Sequence, residues 1–322
     1  MATAAKAQAQ VVASFPPFTF LENIIVRYDG SILITAINPR CLFYLPPPNS
    51  SSAQLTPQTL CTFEEPAMGI VELEMDIFYI STTSVLRPGG PSTLWKLDMR
   101  SFSASNAPPK PVSVLVFPPE ARVLNGSAVL SPTVLLCADS AADCIWRVDV
   151  PKDGAAPSTR IWMKHSLLAH SNDPKLHDSP GVNGIKFNRK DSFVYFTTTA
   201  QTLFGRIRVD PQTLDPVGDP EEAAERGMMA DDLIVDEEAG VAYVTTHRQN
   251  TIERISLHDG ARFNCIGEPF HIDMIGPTAG SWGRGPNEAG KVAYFSTDGG
   301  IKNPHDGVVK HSKVLRISFP AM

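Results

Sequence analysis

The feature that most constrains this chain is its self-similarity. One pattern recurs six times: a short lead residue, an apolar alternating run, a polar turn and a second alternating run. The copies are "ENIIVRYDGSILIT" from Glu22, "MGIVELEMDIFYIST" from Met68, "NGSAVLSPTVLLCADS" from Asn125, "NGIKFNRKDSFVYFTT" from Asn183, "DDLIVDEEAGVAYVTT" from Asp231 and "AGSWGRGPNEAGKVAYFST" from Ala279. Their starts lie 46, 57, 58, 48 and 48 residues apart. Alternation on both sides of a turn predicts two antiparallel strands. A third strand follows each copy, as in "RCLFYL", "STLWKLDM" and "DCIWRVDV", and segments such as "PVSVLVF" and "TRIWMKH" supply fourth strands. Four short strands repeating about every fifty residues predict an all-β, six-bladed propeller with four-stranded blades. The six units fill residues 1–322 as one domain.

A ring of blades has to be closed. The last third strand, "KVLRISF", ends three residues before the C-terminus, so the sixth blade lacks an outer strand of its own. The N-terminal segment "AQVVASF" is expected to supply it, with Val11–Phe15 beside Val314–Ser318. The other reading of that segment is an unpaired tail.

The first strand of every propeller blade lines the axis, so the lead residues of the six copies converge at one end of the channel. That column reads Glu22, Met68, Asn125, Asn183, Asp231, Ala279. Asn and Asp before a strand also cap tight turns. Four oxygen-bearing side chains in one column, however, predict a shared polar site. Carboxylates and amides together suit a hard divalent cation such as calcium.

Composition removes other classes. With 43% hydrophobic residues, 19% charged residues and a formal net charge of −6, the chain has no basic block of the kind that binds nucleic acid. No run of 18 apolar residues predicts a membrane span, and the N-terminus lacks the apolar core of a secretory signal. The cysteines, Cys41, Cys61, Cys137, Cys144 and Cys265, are odd in number and form no CxxC, as expected for reduced thiols in a cytoplasmic protein. "GPNEAGKV" imitates a phosphate-binding loop, but Val292 stands where Ser or Thr is needed and a strand follows. No dinucleotide fingerprint follows a strand, so no organic cofactor is expected.

At "FLENIIVRYDGSILIT" and "GVNGIKF" the chain resembles the family of six-bladed propellers that includes senescence marker protein 30 and the gluconolactonases. It is most similar to a fungal branch of that family. The resemblance implies a divalent metal held by Glu22, Asn125, Asn183 and Asp231, with Asp231 also the catalytic base. It also exposes departures. The lactonases grip a sugar acid with an Arg two residues before the Asn of "LNG"; that position here is Val123. Arg122 is one residue off and should face the other way. Met68 intrudes into the column, and Trp282 stands for a family Phe. The expected substrate is therefore an apolar small molecule, met by Met68, Val123 and Trp282.

Some fungal members of this group, the hetero-Diels–Alderases of tropolone–sesquiterpenoid pathways, form rings rather than hydrolyse them. The resemblance thus implies two activities. One is non-redox ring formation on an apolar polyketide or terpenoid substrate, and the other is calcium-dependent lactone or ester hydrolysis. In both, Glu22, Asn125, Asn183 and Asp231 carry the chemistry. Two loops are candidate lids: residues 163–181, with Lys164, His165, His170 and His177, and residues 296–313, with Asp298, His305 and His311. His165 and Asp298 are expected to reach substrate. Asp139 and Thr198, which follow second strands, are expected either at the same mouth or in turns. Oligomeric state leaves no mark on the sequence.

Overall fold

In the computed structural model the chain is a six-bladed β-propeller. The residues described are 7–48, 54–84, 90–105, 107–169, 180–268 and 274–320. Six antiparallel four-stranded sheets form the blades. Their inner strands are Phe20–Val26, Ala67–Glu74, Leu124–Ser131, Val182–Asn188, Ala230–Asp236 and Pro277–Trp282, in blades one to six. Each inner strand contacts the next around the ring, and the sixth contacts the first. The only helix among the described residues is a short 3₁₀ turn, Ser166–Leu168.

Six apolar clusters fill the six interfaces between neighbouring blades. A single blade would expose both faces to water; stacking them buries both. Between blades three and four, Leu136 and Ile145 pack with Val194, Phe196 and Leu203. The ring closes as expected. The N-terminal strand Gln8–Pro17 pairs antiparallel with His311–Ser318, with Val11 opposite Leu315 and Ala13 opposite Val314. Phe15 is buried and meets Phe43 of blade one edge-on at 5.0 Å, so the strand joins the two ends of the ring.

Every inner strand slips register at the same place: between Leu21 and Ile24, Ala67 and Ile70, Leu124 and Ser127, Val182 and Ile185, Ala230 and Leu233, and Pro277 and Gly280. Two residues bulge there, which twists the strand and turns one side chain onto the axis. A hydroxyl of the blade's second strand braces the bulge. Thr35 Oγ1 accepts from the Asn23 N–H at 3.0 Å and donates to Met68 O of the next blade at 2.5 Å. Thr245 repeats this between Asp232 and Thr278 O, and Ser296 bonds Glu22 O across the closure. In this close approach a Cβ on Gly126 would stand 2.6 Å from Asn183 O. The glycine after each axial Asn is thus a packing requirement.

The bracing pattern corrects the sixth copy of the repeat. Thr278 O takes the place of Met68 O and Glu22 O. The sixth axial residue is therefore Thr278, and Ala279 lies one position further on. The five cysteines are free thiols. Cys137 is opposite Trp146, not Cys144, and burial pushes both thiols up to about 12.

Candidate functional site

Five axial residues, Glu22, Met68, Asn125, Asn183 and Asp231, line one cavity of about 350 Å³ at the end of the channel. All five are buried. Phe20, Ile37, Val123, Pro180 and Ile301 join Met68 as its apolar wall. Arg248 and Lys302 stand at its mouth.

The floor is tied together by hydrogen bonds. Asn183 Nδ2 donates to Asp231 Oδ1 at 2.5 Å and to Thr199 Oγ1 at 3.0 Å. Asn125 Nδ2 donates to Ser140 Oγ at 3.2 Å. Thr199 and Ser140 hold equivalent places, one residue past the partner of each bulge. The same place in blades five and six is held by His247 and Asp298. A second ring thus lies beside the axial one. In it His247 Nε2 is 3.1 Å from Asp298 Oδ2, and Nδ1 is 4.0 Å from Asp231 Oδ2. Asp298 is fully buried, and Oδ2 makes no hydrogen bond, so its tie to His247 is a charge contact rather than an aligned bond. Phe20 stacks on the imidazole at 6.0 Å.

Burial and crowding set the protonation. Burial raises Glu22 well above the ordinary carboxylic value, and Asp231, Asp232 and Asp298 raise it further. Asp231 is pushed up to about 7, chiefly by burial, against the opposing pull of His247. Burial alone would lower His247, but Asp298 and Asp231 outweigh it and leave the imidazole raised. The site therefore holds a carboxylic acid, a carboxyl that ionises near neutrality, and a basic imidazole.

The sign of the resulting pH dependence is fixed. Unfolded, Asp231 loses its proton near 3.8; folded, near 7. Between those values the folded chain holds more protons, so stability falls as pH rises. His247 acts in the same sense: its contribution is full below its ordinary 6.5 and is lost as pH rises through the higher folded value. Ionising Asp231 in place costs on the order of 4 kcal/mol. The melting temperature should therefore fall by about 5 °C from pH 5 to pH 8, and Asp231→Asn should remove most of that fall. Calorimetry across this range checks it; a flat or rising curve in the wild type contradicts the assignment.

Other expected site residues lie elsewhere. Trp282 is at the opposite end of its strand, where Nε1 donates to Val235 O and the ring packs on Tyr243 and Phe319. It does not line the cavity with Met68. His165 caps the 3₁₀ turn, its Nδ1 accepting from Leu167 N–H, and is likewise absent from the wall. Asp139 is a structural carboxylate, accepting from Arg122 N, Val123 N and Trp146 Nε1. Thr198 Oγ1 donates to Leu167 O. Arg122 is exposed, whereas Val123 faces the cavity. His311 bonds Phe15 O at the blade closure. His170 and His177 lie outside the described residues.

The donor set for a cation is oxygen-only: two carboxylates and two amides. Among the described residues no three of His, Cys, Asp and Glu form a metal cluster, so any cation would depend on the amide oxygens. One such oxygen, Asn125 Oδ1, is buried without a hydrogen-bond partner. Those four residues fit a calcium-sized ion on that ground.

No known family model matches the sequence, and neither does any curated protein. Solved structures do match its fold. A luciferin-regenerating enzyme is similar over 97% of this chain and 95% of its own, at 14% identity and TM-score 0.68. The calcium-binding protein regucalcin from Agrobacterium tumefaciens covers 98% and 96%, at 14% and 0.60. The PQQ-bound aldose sugar dehydrogenase of Streptomyces coelicolor covers 98% and 99%, at 12% and 0.61. At this identity the likeness establishes the fold, a scaffold that hosts varied chemistry. No helix among the described residues is long and apolar enough to cross a membrane.

Proposed function

We propose that the protein is a non-redox enzyme that closes a ring on a largely apolar small molecule held in this cavity. The observation that carries the reading is the combination of an apolar wall with a floor of proton-exchanging groups. A reactive heterodiene needs its alkene held beside it, and orientation of that kind supplies roughly 7–11 kcal/mol. It also has to be generated. Glu22, kept protonated, gives its proton to a hydroxyl that leaves as water, while Asp231 takes the proton of a phenol on the same substrate. The product of that dehydration is a quinone-methide-like heterodiene, which adds across the alkene in a hetero-[4+2] step. Asn183 fixes the Asp231 carboxyl, and His247 supports its ionised state against the opposing charges of Asp232 and Asp298. The wall in place of a sugar-gripping Arg at Val123 fits this substrate class, as does the resemblance to the fungal ring-forming branch.

The wall makes a testable demand. Met68→Ala opens space beside the reacting carbons and keeps the backbone carbonyl that Thr35 uses. With an ortho-hydroxybenzyl alcohol and an electron-rich alkene as substrates, the wild type should give one enantiomer in excess. Met68→Ala should shift the product toward the racemic mixture by severalfold in enantiomeric ratio. An unchanged ratio contradicts the assignment of this wall.

A second reading is favoured by the unpartnered Asn125 Oδ1. On it the protein is a lactonase, with Glu22, Asn125, Asn183 and Asp231 holding calcium. Such an ion would polarise a lactone carbonyl and activate water. The readings separate without any substrate. If calcium is resident, millimolar calcium at pH 8 should raise the melting temperature and flatten its pH dependence, because an ion bound only by the folded state stabilises it. On the first reading calcium leaves the curve unchanged.

A further inference from the structure

Arg248 and Lys302 have no place in the chemistry above, yet both stand at the cavity mouth. Neither has an ion pair or side-chain hydrogen bond with another described residue. They come from different blades but are tied together: Asn303 Nδ2 donates to Arg248 O at 3.5 Å, which sets the 299–303 turn against blade five. Arg248 is half-buried and Lys302 exposed. The rest of the lining includes the apolar wall and the buried Glu22 and Asp231, with Asp298 fully buried behind His247 and not itself in the lining. The cavity therefore has two cationic side chains without a described carboxylate partner at its mouth, and carboxyl groups with one engaged imidazole at its base.

We infer that the ligand of this cavity is an amphiphile with an anionic oxygen group, held at the mouth by Arg248 and Lys302 with its apolar body inward. The inference rests on the proposed apolar cavity and adds the charge and orientation of what fills it. An anion is best met at the mouth: at the base Asp231 repels it whenever ionised, and the His247 imidazole there is already engaged by Asp298. A guanidinium offers two parallel donors to a carboxylate, phenolate or sulfonate oxygen, and an ammonium adds a point charge. The anionic group is thereby kept away from the proton-exchanging floor, and the apolar end is presented to it. The grip lies on blades five and six, across the channel from Val123.

Two fluorescent probes of the same shape test this. 1-Anilinonaphthalene-8-sulfonate carries an anionic oxygen group; N-phenyl-1-naphthylamine has the same rings without it. In the wild-type protein both should bind, and Met68→Trp, which fills the cavity, should abolish both. Arg248→Met with Lys302→Met should weaken the sulfonate by about tenfold and leave the amine within twofold. Raising salt from 50 to 500 mM should weaken the sulfonate severalfold in the wild type only, a measurement independent of any variant's folding. Equal sulfonate affinity in the wild type and the double variant overturns the inference. Sulfonate binding that survives Met68→Trp also overturns it, since the anion then sits elsewhere. If the amine binds the cavity normally in either case, the apolar-cavity reading stands alone. Failure of both probes to bind overturns the two together.

Discussion

Asp231→Asn should lower turnover by roughly 10²–10⁴-fold, the usual cost of losing a positioned proton acceptor. The substitution keeps the size and the contact with Asn183 but removes the proton exchange poised near neutrality. It should also raise the melting temperature at pH 8, because the charge it removes is a buried one crowded by Glu22, Asp232 and Asp298. Activity lost with stability gained marks a group kept for chemistry. Single-turnover rates and calorimetry on one preparation check both halves. Full activity, or a lower melting temperature at pH 8, contradicts the role given to Asp231.

Removal of residues 1–15 should lower the melting temperature by about 10 °C. The segment contributes most of the strand that pairs with His311–Ser318, and it buries Val12, Ala13 and Phe15. Those side chains alone represent about 5 kcal/mol, to which loss of ring closure adds. The deletion also bares the edge of the third strand in blade six, so the truncated protein should aggregate on heating where the full chain does not. A melting temperature within 2 °C of the full chain's, measured at two protein concentrations, would show that closure carries no stability.

The fold was legible because a propeller repeats. Six copies of one strand pair can be aligned with each other, and each weak signal is reinforced by the rest. The axial column followed in five blades of six. It slipped in the sixth because "PTAGSW" carries no carboxylate or amide, and Thr278 resembles an ordinary strand residue until the Thr245 bond to its carbonyl is seen. Trp282 was placed by the family resemblance rather than by the column: four residues beyond Thr278 along a strand is about 13 Å away, at the other end of the channel. His247 was missed although a signal existed. Aligning the ends of the second strands gives Ile37, Thr83, Ser140, Thr199, His247 and Asp298, in which the imidazole and the carboxylate stand out. Asp139 and Thr198 lie one residue short of that ring, where the side chain turns into the blade instead of the channel. The charge contact between His247 and Asp298 could not be read from sequence spacing, since 51 residues and the whole blade boundary separate them.

The most direct measurement of the proposed activity sets two assays side by side on the wild-type protein. One follows ring formation between a quinone-methide precursor and an electron-rich alkene. The other follows hydrolysis of a simple sugar lactone, with calcium present and with calcium chelated. The proposal expects ring formation faster than the spontaneous reaction, with one enantiomer in excess, and lactone hydrolysis at the background rate under both conditions. Brisk calcium-dependent lactone hydrolysis, with ring formation no faster than in buffer, contradicts it.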